Sequence, residues 1–125
     1  MSFEIHPTKI KDVLLIQPPV FTDQRGSFSE LFKESAFLPA GMDQRFTQVN
    51  LSVSRQNVLR GLHYQLPPKA QAKLVSVISG QIFDVAVDLR ASSPTFRQWV
   101  GVKLDSNLPA MLYIPTGFAH GFCAL

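Results

Sequence analysis

The chain has 125 residues, 46% apolar and 17% charged, which excludes disorder and fits one domain with a single core. Its formal charge of +3 comes from 12 basic and 9 acidic residues spread without a Lys/Arg cluster, so the pattern argues against a nucleic-acid arm and suits a small anionic ligand. Cys123, the only cysteine, reads as a buried inert thiol; Met1–Pro7 lacks a signal-peptide pattern and no apolar run reaches membrane-spanning length, so the expected compartment is the cytoplasm, with no membrane partner.

Val13–Gln17 reads as a first strand, closed by Pro18 and Pro19. Phe28–Phe32 follows the turn signal Asp23-Gln-Arg-Gly26, and Lys33–Phe37 can form one helical turn, stopped by Pro39 and Gly41. Phe46–Ser54 alternates apolar and polar residues at period 2, as a half-buried strand does. Further strands are expected at 58–65, 72–78, 81–89, 99–104 and 110–114, separated by Pro67-Pro68, Ser79-Gly80, Ser92-Ser-Pro94 and Asp105-Ser-Asn107. Many short strands at this spacing predict an all-β, antiparallel sandwich or barrel with little helix.

Two segments carry the chemistry. Asn57-Val-Leu-Arg-Gly-Leu-His-Tyr-Gln65 brings Arg60, Gly61 and His63 together, and Pro115-Thr-Gly-Phe-Ala-His-Gly121 supplies His120. Histidine titrates nearest neutrality, so two of them beside Arg60 and Lys73 suit proton transfer next to an anion. His6, before Pro7 near a chain end, reads as structural. A metal cupin would need a second histidine at position 65, which is Gln65, and no acid occurs between Gln65 and Asp84. Two histidines fall short of the usual ligand set, so a barrel without metal is expected.

Ser79-Gly80 reads as a two-residue hairpin turn, which would set Val75 opposite Asp84 and Lys73 opposite Ala86. Lys73 and Asp84 then become diagonal neighbours on one face. Outside, they would be a surface ion pair; inside, an oriented cation with its counter-charge. The valines and Ala86 on that face point to the interior. Burial and Asp84 act oppositely on the Lys73 ammonium, and the carboxylate is expected to prevail. Arg60 and His63 lie three apart, on opposite faces of a regular strand, so a shared site requires a bulge or twist near Gly61.

Longer runs complete the pattern: Phe21-Thr-Asp-Gln-Arg-Gly-Ser-Phe-Ser-Glu30, Thr47-Gln-Val-Asn50, Pro68-Lys-Ala-Gln-Ala-Lys-Leu-Val75, Gly80–Arg90, Ser93-Pro-Thr-Phe96 and Tyr113–Phe122. With these the chain resembles the dTDP-4-dehydrorhamnose 3,5-epimerase family over nearly its whole length. The resemblance implies an antiparallel cupin-type jelly-roll barrel, a homodimer, no cofactor and no metal. It implies a dTDP-linked 4-keto-6-deoxy sugar as substrate, epimerised at C3 and C5. His63 matches the general base, Lys73 the cation facing the enolate oxygen and His120 a second histidine of the sugar site. Asp84 joins them through the hairpin reading. Arg25 and Arg60 match diphosphate-binding arginines, Phe28 and Glu30 match positions at the nucleotide base that reach across the dimer, and Gln48 and Asn50 share a parity that lets both face the nucleotide.

The resemblance also implies a general-acid tyrosine just after the final His-containing turn, and later an aspartate orienting the base. The sequence ends at Leu125, before either position. The expectation is therefore a single cupin-like domain over 1–125 that lacks the C-terminal part of the family fold and turns over poorly. Three alternatives remain open from the sequence: a non-catalytic nucleotide-sugar binder, a 3-epimerase or ketoisomerase on a related sugar, and a metal-dependent cupin oxygenase.

Overall fold

The structure is a computed structural model describing residues 2–42 and 45–125. Ten strands run in chain order: β1 (Glu4–Pro7), β2 (Leu14–Gln17), β3 (Val20–Asp23), β4 (Gly26–Ser29), β5 (Leu59–His63), β6 (Lys73–Ser76), β7 (Gln81–Asp88), β8 (Trp99–Asp105), β9 (Met111–Ile114) and β10 (Phe118–Ala124). They form one four-stranded sheet in the order β1-β2-β9-β6, a second in the order β5-β10-β7-β8, and a separate β3-β4 hairpin. All the pairings are antiparallel. Among the described residues no helix is long and apolar enough to cross a membrane.

Side-chain alternation builds the core. Leu15, Leu112, Ile114 and Val75 project from the first sheet, and Ile82, Ala86, Val100 and Leu104 from the second, into one apolar layer completed by Ile10, Val13 and Phe118. On its other face the first sheet carries Ile16, Met111 and Tyr113, packed with Phe37 and Met42. The helical turn α1 (Glu34–Phe37) and the 3-10 turn Leu38–Ala40 supply that cover, and Gly41 ends them at a φ of 87°. The expected helical turn at Lys33–Phe37 is thus present as Glu34–Phe37, but Pro39 does not stop it; it sits inside the 3-10 turn that follows, and Gly41 is the stop.

Three local readings need correction. The expected strand 28–32 is β4, which ends at Ser29. The segment 46–54 forms no strand. Its alternation is real, but among the described residues no strand pairs with it, and Val49, Leu51 and Val53 stay 97%, 74% and 84% exposed. The Ser79-Gly80 hairpin is also absent: β6 pairs with β9, and β7 with β10 and β8. Gly80 exchanges hydrogen bonds with Ser106 instead, its N–H donating to Oγ at 3.2 Å and its carbonyl accepting the Ser106 N–H at 3.0 Å. Gly80 takes a φ of 88°, and the turn is a corner between sheets because β6 and β7 belong to different ones.

Candidate active site

β7 is buried at every second residue, and Asp84, Ala86 and Asp88 share its inner face. β10 runs beside it with His120 opposite Ala86 and Phe122 opposite Asp84, so His120 and Asp84 are diagonal neighbours. His120 Nε2 lies 2.5 Å from Asp84 Oδ1. Asp84 is fully buried, and its Oδ2 has no hydrogen-bond partner. Burial raises the Asp84 carboxyl above its ordinary value, opposed by the His120 hydrogen bond and the Lys73 charge.

Lys73 reaches this interior by another route than the one expected. It pairs with Ile114 on β9, whose side chain is in the inner core, so the ammonium faces Asp84 from the opposite sheet rather than from an adjacent strand. The shared interior survives the wrong register. The expected balance does not: burial lowers the Lys73 ammonium below its ordinary value, and the Asp84 charge only partly offsets it. A half-buried amine facing a carboxylate without a direct bond loses more hydration than it regains.

His63 enters from β5, directly opposite His120, and opposite residues project to the same side of a sheet. The ladder then slips: His120 and Phe122, two apart, pair with His63 and Arg60, three apart. This is the bulge the sequence required, and it turns Arg60 to the His63 side. Gly61 permits it with a φ of 121°, and a Cβ there would sit 2.6 Å from Gly121 Cα. Arg60 Nε donates to Ser54 Oγ at 2.9 Å. The site therefore has a buried floor, Asp84 and His120, and an exposed lip, His63 and Arg60.

The remaining sequence candidates lie apart. Arg25 pairs with Asp23 at 2.7 Å on the exposed β3-β4 hairpin, and Phe28 there is 67% exposed and stacks on Phe21. Glu30 follows that hairpin. Gln48 Nε2 donates to Asn50 Oδ1 at 3.0 Å, as their common parity allows. Among the described residues no hydrogen bond or ion pair joins these five to His63, Lys73, Asp84 or His120, and no three His, Cys, Asp or Glu side chains gather as a metal site. Cys123, expected to be buried, is half-buried, and His6 lies on β1 near Gln17, 3.3 Å from its Oε1.

A family model described as dTDP-4-dehydrorhamnose 3,5-epimerase matches residues 7–125. The chain belongs to that family. It is 56% identical over 119 residues to a dTDP-4-dehydrorhamnose 3,5-epimerase of Shigella flexneri, covering 94% of this chain. A protein of the same name from Methanothermobacter thermautotrophicus is 50% identical over 124 residues, 99% of this chain. The fold superposes at a TM-score of 0.95 and 47% identity on a dTDP-6-deoxy-D-glucose-3,5-epimerase from Legionella pneumophila solved with dTDP-4-keto-L-rhamnose, covering 99% of this chain. The chain spans 66% of the length of each of these three proteins. These matches also bear out the cupin-type antiparallel fold.

One cluster escaped the sequence reading. Asp88 Oδ1 accepts hydrogen bonds from the Arg90 backbone N–H at 2.9 Å and its Nε at 3.0 Å; Oδ2 accepts from Arg90 Nη2 at 2.9 Å and from the Ser93 and Thr95 hydroxyls at 2.5 Å each. Arg90 also pairs with Asp12 at 3.0 Å and lies 4.7 Å above the Phe118 ring. Burial alone would raise the Asp88 carboxyl, but these donors hold it well below its ordinary value. The signal was local: Asp88, Arg90, Ser93 and Thr95 fall within eight residues, the pattern of a loop folding back on a strand end.

Proposed function

We propose that this chain epimerises C3 and C5 of dTDP-4-dehydro-6-deoxy-D-glucose, giving dTDP-4-dehydro-L-rhamnose. The observation that carries this reading is the arrangement of His63, His120 and Asp84 on one side of the β5-β10-β7-β8 sheet, with Lys73 facing Asp84 from the other sheet. The C4 ketone acidifies the protons on C3 and C5, because either carbanion delocalises onto the carbonyl oxygen. His63 takes the proton; the C–H electron pair becomes the enolate double bond, and the carbonyl pair moves to oxygen. The Lys73 ammonium meets that negative charge in a partly desolvated site, where oriented charge has most leverage. A solvent-exchanging acid on the opposite face, the role the resemblance gives to a tyrosine past Leu125, then delivers a proton to that face of the carbon, which inverts it and restores the ketone, while His63 releases its own proton to solvent. The net reaction moves only protons, so no cofactor is needed.

Arg60 and Arg25 are proposed to hold the diphosphate with their forked donors. Gln48 and Asn50 would face the nucleotide, and Phe28 and Glu30 its base. A homodimer is proposed as the working form: the alternating, exposed Val49, Leu51 and Val53 lie on a segment with which, among the described residues, no strand pairs. Sedimentation should find a dimer that the triple Ser variant of these positions dissociates. The proposed compartment is the cytoplasm, where nucleoside triphosphates and the sugars built from them are kept.

The direct test is ¹H NMR of the keto sugar with the chain in D₂O. Deuterium should enter at both C3 and C5. Entry at C3 alone would make the protein a 3-epimerase, and binding of dTDP without entry at either carbon would leave only a binding protein.

A further inference from the structure

Asp84 Oδ2 is the one buried side-chain nitrogen or oxygen among the described residues without a hydrogen-bond partner. Its sister oxygen is committed to His120 at 2.5 Å. A buried, unpaired carboxylate oxygen is costly and is kept where something else uses it. The groups that can do so are few. β8 sets Val102 opposite Asp84, and β10 sets Phe122 there, neither of which can donate. His63 stands beyond His120 on β5, and Lys73 faces Asp84 from the first sheet, close enough for their charges to act on one another.

We propose that Asp84 is a positioning residue that couples Lys73 to His120: Oδ1 fixes the imidazole, Oδ2 draws the ammonium, and one carboxylate divides its charge between them. Its part in turnover rests on the epimerase reading, but the coupling itself does not. With the site at rest, the ammonium partly neutralises Asp84. When charge develops on the substrate oxygen and draws the ammonium away, the carboxylate bears on His120 alone. No bond is made or broken within the junction; its effect is to tie the charge state of one side of the site to the other. By linkage, the coupling is reciprocal.

The test uses the full chain without substrate. In Asp84→Asn, the Lys73 ammonium, followed by ¹⁵N or ¹³C NMR, should titrate lower than in wild type by roughly one pH unit, because only burial then acts on it. In Lys73→Met, the Asp84 carboxyl should titrate higher and the His120 ring-nitrogen resonances should move, although the ring's hydrogen bond is to Asp84 and not to Lys73. Lys73→Met also serves if Asp84→Asn fails to fold. An unchanged Lys73 titration in folded Asp84→Asn, or unmoved His120 resonances in Lys73→Met, would overturn the coupling. Deuterium entry into substrate is read separately, so a silent chain would sink the epimerase reading without touching the junction.

Discussion

Asp84 and Asp88 stand four residues apart on the inner face of β7, and both are fully buried. Their surroundings differ completely. Asp88 accepts five hydrogen bonds over both oxygens and closes a loop onto the strand end. Asp84 has one partner, His120, and an orphaned oxygen. The same residue type at the same burial is thus a fastening at one end of the strand and a carboxylate with an unused oxygen at the other. What separates the roles is how completely the lone pairs are satisfied, because a saturated carboxylate has nothing left for a ligand or a proton.

Asp88→Asn should sharpen the contrast most. It leaves the partly buried Arg90 with only the more exposed Asp12 as counter-charge, strands the Ser93 and Thr95 hydroxyls, and should cost about 3 kcal/mol in urea unfolding, whereas Asp84→Asn should shift stability by less than about 1 kcal/mol in either direction. Acid should separate the two aspartates by sign. Asp88 is held below the ordinary carboxylate value of 3.8, so its contribution is complete above that pH and disappears as pH falls through the lower folded value. Asp84 is raised above 3.8, so its burial is a cost at neutral pH that is relieved as pH falls through the folded value. Urea midpoints of wild type and both variants between roughly pH 3 and 7 would show the opposite trends. Parallel trends would break the comparison.

Gly61→Ala should follow in size. The residue has a φ of 121°, and the new Cβ would meet Gly121 Cα at 2.6 Å. About 2 kcal/mol of destabilisation is expected, with loss of the His63–His120 pairing in NMR contacts. Lys73→Met should have the smallest effect on stability. Burial lowers the folded ammonium below its ordinary 10.5, so its cost is full below the folded value and fades as pH rises to 10.5. The variant should therefore be slightly more stable than wild type at pH 7, by less than about 1 kcal/mol, with the advantage gone near pH 11.

Much of the site was legible because it depends on residue type and local backbone. The three-residue spacing of Arg60 and His63 demanded a bulge, Gly61 marked its place, and the ladder slips there. Strand partners were less legible. Ser79-Gly80 carries a hairpin signal, yet a turn dipeptide cannot distinguish two strands of one sheet from a corner between sheets; the Gly80–Ser106 hydrogen bonds decide that, 26 residues away in sequence. Alternation at Val49, Leu51 and Val53 reports a strand-like pattern without naming a partner, and none of the described strands pairs with it. The sign of the Lys73 shift was misjudged because the hairpin register brought Asp84 too close. Facing it from the other sheet, the carboxylate compensates burial only in part.

The central claim, that the His63 face removes protons beside the C4 ketone, is tested most directly by solvent deuterium entry at C3 and C5 in His63→Ala. Asp88→Asn serves as the control for damage to the fold. The exchange rate should fall at least about a hundredfold at both carbons in His63→Ala while dTDP still binds, and should stay near wild type per folded molecule in Asp88→Asn. Exchange at the wild-type rate in folded His63→Ala would contradict it.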